Sequence, residues 1–108
     1  MKQVSTASTL HVLADPSRQA ILDLLREGER PVGDLVATLD QSQPGVSRHL
    51  RVLREAGLVE SRPDGPRRLY RLRPEPLEEL DAWLSTYRCL WTARLDQLEA
   101  HLDERRTT

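Results

Sequence analysis

The stretch SQPGVSRHLRVLREAG, residues 42–57, decides the fold of this 108-residue chain. Three of its apolar residues recur at intervals of four and three, the spacing of one face of an α-helix: Val46, Leu50 and Leu53. Ser42 or Gln43 begins this helix, and Pro44 fits the first turn, where its missing N–H is not needed. Gly57 follows and ends the helix, because glycine readily adopts the left-handed backbone conformation found after a helix C-terminus. The stretch therefore predicts an amphipathic helix whose apolar face packs on the rest of the chain.

The opposite face of this helix is polar and basic. Turning the apolar residues inward turns five others outward: Gln43, Ser47, Arg48, Arg51 and Arg54. Gln43 and Arg48 lie near the helix N-terminus, where a recognition helix reaches base edges, and their side chains can pair with adenine and guanine. Ser47, His49 and Arg51 can hold phosphates, whereas the last arginine of the face lies too far along the helix to read bases. This face is predicted to contact DNA.

Two predicted helices precede the quoted stretch. An Asp-Pro pair at residues 15–16 is a start signal, because Asp caps free backbone N–H groups and Pro tolerates the first helical position. The helix that begins there ends at Gly28. The second helix runs from about Val32 to Leu39, and Asp40-Gln41 breaks it. A further, weakly marked helix is expected over residues 3–14.

A β-hairpin is predicted after the quoted stretch. Two extended runs, Leu58–Arg62 and Arg67–Leu72, are joined by the turn sequence Pro63-Asp64-Gly65-Pro66. The last predicted helix then starts near Pro74. This order of elements predicts a mainly α, winged helix-turn-helix fold, with five helices and a two-stranded β-hairpin wing.

The predicted wing is rich in arginine. Arg67 and Arg68 lie just past the turn, where long guanidinium side chains can enter a narrow minor groove or clamp phosphates. Arg62 and Arg71 are expected to extend the positive rim. The wing is therefore a second predicted DNA contact.

Charge divides the chain into two parts. The formal net charge is −1, but residues 41–73 carry eight arginines against three acidic residues, a local net charge of +5, and residues 74–108 carry −4. Local charge, rather than the overall balance, sets what a surface attracts. With 38% hydrophobic residues and four aromatic residues, the chain has room for one modest core. We expect residues 1–108 to form a single domain.

The final predicted helix carries a long apolar seam. It runs from about Pro74 to Arg105, with apolar residues three and four apart. About 30 residues at 1.5 Å each give roughly 45 Å, which is more than so small a core can cover. The seam therefore predicts a homodimer.

Four segments of the chain read LADPSRQAILDLL, VGDLVATL, SQPGVSRHLRVLREAGLV and RRLYRL. Together they resemble successive parts of the ArsR/SmtB family of small bacterial winged-helix repressors, over roughly residues 9–102. The resemblance implies a homodimeric transcriptional repressor that binds a palindromic operator in double-stranded DNA and releases it on a signal. It also implies that the first and last helices form the dimer interface, with these residues: Leu10, Leu80, Leu84, Tyr87, Trp91, Leu95 and Leu98.

The chain lacks the usual metal ligands of this family. Many members bind metals through a cysteine pair before the recognition helix, or through Asp, His and Glu residues on the last helix. Here residues 32–35 hold no cysteine. On the last helix Asp81 could begin a ligand set, but Trp83, Arg94 and Gln97 stand at the spacings where two His and one Glu would be needed. We expect no metal site and no cofactor.

Two other kinds of signal stay open. Cys89 is the only cysteine, so a redox-responsive repressor would need a disulfide between two chains; the same residue also fits a stripe of small residues for close helix packing. A cluster on the last helix favours interface core, and it is where a small organic effector would first be sought: Trp83, Tyr87, Leu90 and Trp91.

Other classes of function fit the sequence less well. An enzyme is not expected, because no nucleophile lies beside a base in a known motif and no glycine-rich phosphate loop occurs. No run approaches the roughly 18 apolar residues of a membrane span, and no secretory leader is evident, so we expect a cytoplasmic protein. The remaining alternative is a winged-helix module that binds an acidic protein instead of DNA.

Overall fold

The computed structural model describes residues 5–107, with side chains as far as residue 105. Within this range the chain forms six helices and three short strands. Their bounds are α1 Thr6–Leu13, α2 Pro16–Arg26, β1 Arg30–Pro31, α3 Val32–Leu39, α4 Gln43–Glu55, β2 Val59–Asp64, β3 Arg67–Leu72, α5 Glu75–Ser85 and α6 Arg88–Thr107. The predicted winged helix-turn-helix is confirmed, with α3 and α4 as the helix-turn-helix and β2–β3 as the wing. Residues 3 and 4 of the predicted first helix lie outside the described residues.

One apolar core holds α2, α3, α4 and the start of the wing together. Its most deeply buried apolar side chains, each at most 1% exposed, are Ile21, Leu35, Val46, Leu50, Leu53, Leu58 and Val59. Burying one such side chain contributes about 1.5–3 kcal/mol. The three predicted core residues of α4 are all in this set, so the core fixes which face of α4 points outward.

Helix ends follow the signals in the sequence. At the start of α2 the Asp15 carboxylate accepts a hydrogen bond from the Ser17 backbone N–H at 2.8 Å. At the start of α4 the Ser42 hydroxyl accepts from the Gly45 N–H at 3.2 Å. Asp40 turns the chain between α3 and α4 in a left-handed conformation, with φ of 51°. These caps and the short turn between α3 and α4 determine where α4 begins. Its capping residue, Ser42, is exposed to solvent.

The wing is longer than predicted and belongs to a three-stranded antiparallel sheet. β2 reaches Asp64 and β3 starts at Arg67, so only Gly65 and Pro66 remain in the turn, whereas the sequence favours a four-residue turn. β1, which the sequence does not predict, pairs with β3 on the side away from β2. Two residues carry no alternating pattern, so a strand this short leaves no signal. The pairing attaches the wing to the segment between α2 and α3.

The prediction of one continuous final helix is wrong. α5 ends at Ser85, and α6 begins three residues further on. The Ser85 hydroxyl donates to the Ala82 carbonyl at 2.6 Å, and the Thr86 hydroxyl donates to the Trp83 carbonyl at 2.8 Å. Hydroxyl groups that bond to nearby carbonyls compete with the helical hydrogen-bond ladder. Residues 5–107 therefore form six helices rather than five, and the apolar seam is divided between two of them.

Candidate nucleic-acid interface

The outward face of α4 makes no polar contacts with the described part of the chain. Gln43, Ser47, Arg48 and Arg51 are exposed. Across residues 5–105, none of these four side chains has a hydrogen-bond or ion-pair partner, and the same holds for Arg54. Because α4 is one unbroken helix, the predicted residues lie together on one side of it. Their donors and acceptors are available to a ligand.

His49 lies at the flank of this face, and its side chain is half-buried. The pKa of Asp15 is lowered mainly by the hydrogen bond from the Arg18 backbone N–H, and the charge of His49 contributes to the same shift. Gln41 makes a second link to the start of α2, since its side-chain amide donates to the Ser17 hydroxyl at 2.9 Å. The segment just before α4 is thus linked to the N-terminus of α2, and a phosphate contact of His49 stays a prediction.

Gly45 lies in the first turn of α4, where a better helix former would be worth about 1 kcal/mol. A Cβ atom at this position would meet the Ser42 hydroxyl oxygen at 3.0 Å. That oxygen is the N-terminal cap of α4, and it accepts from the N–H of Gly45 itself. The glycine therefore leaves room for the cap, a local reason that the sequence reasoning missed.

Most arginines of the wing are neutralised by carboxylates of the same chain. Arg62 donates two hydrogen bonds to Glu29, from Nε to Oε2 at 2.9 Å and from Nη2 to Oε1 at 2.7 Å. Arg71 and Arg73 both pair with Glu60. The expectation that Arg62 and Arg71 extend a positive rim is therefore wrong. The carboxylates of Glu29, just before β1, and of Glu60, in β2, already balance their charges.

The two predicted residues at the tip of the wing differ in their partners. Arg67 donates from Nε to the Asp64 carboxylate at 3.1 Å. Arg68 donates from Nη2 to the Ser61 hydroxyl at 3.1 Å, a neutral group, and no carboxylate of the described residues pairs with it. Both side chains are exposed. Of the two, Arg68 carries the positive charge that is not already balanced.

A second exposed surface is apolar and lies mainly on α5 and α6. Among the described residues, the exposed large hydrophobic side chains are Leu10, Trp83, Leu84, Tyr87, Leu90, Trp91, Leu95, Leu98 and Leu102, between 37% and 64% exposed; we call this set the apolar surface. Six of the seven predicted interface residues belong to it, and the seventh, Leu80, is half-buried. Monomeric proteins rarely leave so large an apolar area open to water.

The candidate residues for sensing a signal lie on α5, on α6 or in the turn between them. The rings of Trp83 and Tyr87 are in edge-to-face contact, with centroids 5.3 Å apart. Cys89 is exposed as a free thiol. In the part of the chain that the structure describes, no three His, Cys, Asp or Glu residues are grouped as ligands for a metal ion. Nor does any helix of that part have the length and apolar character needed to span a membrane.

A helix-turn-helix whose second helix presents a free basic face, beside a β-hairpin wing, is the arrangement of winged-helix transcriptional regulators. Comparison with known proteins gives the family. Residues 15–61, from the cap of α2 into the wing, match the profile described as bacterial regulatory protein, arsR family.

Individual relatives extend this match. The chain is 45% identical over 83 residues to the HTH-type transcriptional regulator Rv2034 of Mycobacterium tuberculosis, covering 77% of this chain and 75% of that protein. It is 49% identical over 73 residues to the arsenical resistance operon repressor of Escherichia coli, covering 67% and 59%. A crystal structure titled as a possible transcriptional regulator for arsenical resistance is 44% identical, with a TM-score of 0.67, covering 84% of this chain and 92% of that one. The chain belongs to the ArsR family and is a transcriptional regulator.

Proposed function

We propose that this chain is a homodimeric repressor that binds a palindromic operator in double-stranded DNA, in the cytoplasm. The observation that carries the proposal is the outward face of α4, where four predicted contact residues are exposed with no partner in the described chain. In the free protein only water solvates these side chains, so a ligand can bind them without breaking a contact of the fold. A solvent-exposed basic face on the second helix of a helix-turn-helix is suited to the major groove.

Different residues of α4 have different tasks in this proposal. Gln43 and Arg48 read base edges, because an amide matches adenine and a guanidinium matches the two acceptors of guanine. Ser47 and Arg51 contact phosphates and fix the register of α4 on the DNA. His49, whose ring is half-buried, contacts a phosphate at the edge of the same face. The positive end of the α4 helix dipole adds a favourable field for a phosphate.

The wing contributes mainly through Arg68. Among the described residues its guanidinium has only a hydroxyl partner, so it can bind a phosphate or the minor groove without separating an ion pair there. Arg67 has to leave Asp64, which costs up to about 1 kcal/mol for an exposed ion pair, or bring that carboxylate toward the DNA. Arg68 is therefore proposed as the stronger of the two wing contacts.

The apolar surface supports the dimer. Except for the half-buried Leu80, all the predicted interface residues, from Leu10 on α1 to Leu98 on α6, are exposed in the single chain. A second copy that covers them removes this area from water at about 25 cal/mol per Å². Two copies joined in this way present two α4 helices, and a twofold axis between them requires a palindromic site.

Salt-dependent binding tests the proposal. We expect fluorescence anisotropy with labelled DNA from upstream of the gene to show an affinity whose logarithm falls with the logarithm of salt concentration, by about 0.9 per phosphate neutralised. Arg48→Ala should cost about 1–3 kcal/mol and relax sequence preference at one base position. Arg26→Ala, an exposed arginine on α2, is the matched control and should change nothing.

The contrary outcome identifies the alternative function. Binding that does not depend on salt, or equal results for the Arg48 and Arg26 variants, would exclude the DNA-binding proposal. The winged-helix module that binds an acidic protein would then be the better description.

A further inference from the structure

The two faces of the wing differ in the charge that they present. Successive side chains of a strand point to opposite faces of its sheet. On β3, Tyr70 and Leu72 pack against the apolar core, and Arg68 belongs to the same face by this alternation. We call the opposite face, which holds Arg67 and Arg71 of β3, the outer face of the wing. Arg68 and the outer face therefore lie on opposite sides of the ribbon.

The outer face and the residues beside it are rich in charge but neutral in sum. Four arginines and four carboxylates are joined there by these ion pairs: Arg62–Glu29, Arg67–Asp64, Arg71–Glu60, Arg73–Glu60 and Arg73–Glu75. The formal charges of these eight groups cancel. Arg68, by contrast, has only the Ser61 hydroxyl as a partner among the described residues. The unbalanced positive charge of the wing is thus confined to Arg68.

Glu60 contributes most to this balance, because it accepts from two arginines. Its Oε1 accepts from Nε of Arg71, and its Oε2 accepts from Nη1 of Arg73, the latter at 3.1 Å. Arg73 has a second carboxylate partner in Glu75, at 3.3 Å. Within residues 5–105, Arg71 has no ion-pair partner except Glu60. Loss of the Glu60 charge would therefore leave Arg71 unbalanced.

The main effect of this ion pair is on the field around the wing rather than on the stability of the fold. The side chains of Arg71 and Glu60 are 63% and 31% exposed. Ion pairs between groups so open to water contribute little to the free energy of unfolding. Their charges nevertheless add to the potential that a phosphate backbone meets as it approaches. An arginine beside a carboxylate attracts phosphates less than an unbalanced one does.

Non-specific binding to DNA would make use of an unbalanced Arg71. Such binding depends almost entirely on cations that neutralise phosphates, and no base contact fixes the orientation of the protein. In the proposed operator complex, base contacts of Gln43 and Arg48 hold α4 in one register, and the wing contact is made by Arg68. Arg71 lies on the other face of the ribbon. An unbalanced Arg71 would therefore strengthen binding to unrelated DNA more than binding to the operator.

We propose that Glu60 is a specificity-determining residue, which keeps the affinity for unrelated DNA low by neutralising Arg71 and, together with Glu75, Arg73. This inference rests on the proposed function and adds to it a carboxylate that acts against the wrong DNA rather than for the right one. A genome offers about 10⁶–10⁹ competing non-specific sites, so the ratio of the two affinities decides how much protein occupies the operator.

Glu60→Gln tests the proposal, because it removes the charge and nearly preserves the shape of the side chain. Anisotropy titrations compare labelled DNA from upstream of the gene with a scrambled duplex of the same length and composition. We expect the affinity for the scrambled duplex to rise roughly three- to tenfold at low salt, with a salt slope steeper by about 0.9 per protomer. The affinity for the upstream DNA should rise by a smaller factor, so the ratio of the two affinities falls.

Two further variants separate this role from others. Glu79→Gln, at an exposed position of α5 with no ion-pair partner in the described range, makes the same change in net charge and should leave the ratio unchanged. The double variant Glu60→Gln/Arg71→Gln should restore the wild-type ratio and the wild-type salt slope on scrambled DNA. A merely structural role of Glu60 would not give this restoration.

The outcomes distinguish this inference from the proposed function. If the wild type prefers the upstream DNA and Glu60→Gln keeps the same ratio, the role of Glu60 is overturned and the proposed function stands. The same holds if Glu79→Gln lowers the ratio equally, or if the double variant restores nothing. A wild-type protein that binds neither duplex at any salt concentration would overturn both.

Discussion

Arg62 of the wing holds Glu29 of the loop after α2 with two charge-assisted hydrogen bonds, at 2.9 Å and 2.7 Å. The two residues are 33 positions apart in the sequence, so the pair fixes the wing relative to the helix-turn-helix. The hydrogen bond from Arg62 is the largest cause that lowers the pKa of Glu29 below its ordinary value of 4.5. One arginine that sequence reasoning assigns to the DNA-facing rim therefore has a structural role.

This pair predicts a pH dependence of stability. Because the pKa of Glu29 is lowered in the folded chain, its contribution to stability is fully present above about pH 4.5 and is lost as the pH falls through the folded pKa. Glu29→Gln removes the titrating group. We expect the unfolding midpoint temperatures of the wild type and Glu29→Gln to differ less at pH 3 than at pH 6. An equal gap between the two proteins at both pH values would show that the pair is not formed.

The two arginines at the wing tip should behave differently on DNA. Arg68→Ala should weaken binding to all sequences alike and reduce the salt slope by about one per protomer, because it removes a phosphate contact. Arg67→Ala should have a smaller effect, since Asp64 already balances that charge. Anisotropy titrations at several salt concentrations measure both. A larger loss for Arg67→Ala than for Arg68→Ala would contradict the assignment of the wing contact.

The apolar surface should be necessary for dimerisation. Leu84→Glu places a charge in the predicted interface on α5, and we expect a monomer that loses operator binding, because a single α4 reads only half of the site. Light scattering gives the mass, and anisotropy gives the affinity. Glu79→Ala is the control on the same helix, since this residue is exposed and lies outside the apolar surface. Full operator affinity in a monomeric Leu84→Glu would refute the dimer requirement.

The core residue Leu50 should dominate stability without touching DNA. It is 1% exposed at the centre of the inward face of α4. Leu50→Ala should lower the free energy of unfolding by about 2–5 kcal/mol, the usual cost of a core cavity. Urea denaturation at fixed protein concentration measures this, with Thr38→Ala, at an exposed position of α3, as the comparison. A loss below about 0.5 kcal/mol for Leu50→Ala would mean that α4 packs with another face inward.

The sequence predicts the helix-turn-helix well because its signals are local. Asp15, Ser42 and Gly57 mark helix ends by side-chain caps or by backbone freedom, and the bounds of α3 agree with the prediction at both ends. The period of the apolar residues in α4 is sufficient to tell its buried face from its exposed one. The candidate base-contact residues follow from that period alone.

What the sequence does not predict depends on contacts between distant residues. No local pattern links Glu29 to Arg62 or shows that Glu60 pairs with both Arg71 and Arg73. The break between α5 and α6 had a visible signal in Ser85 and Thr86, but the apolar spacing across it favours one long helix. Tertiary pairing therefore decides which arginines of a basic segment remain free for DNA.

Hydroxyl-radical footprinting on a genomic fragment selected by the wild-type protein tests the central claim most directly. The account predicts two protected half-sites of related, inverted sequence, with centres about one helical turn of 10–10.5 base pairs, or a multiple of it, apart on one face of the duplex. It also predicts that both protections disappear together in the Leu84→Glu variant. A single protected half-site that survives in that monomer, or no protection at any salt concentration, would contradict the account.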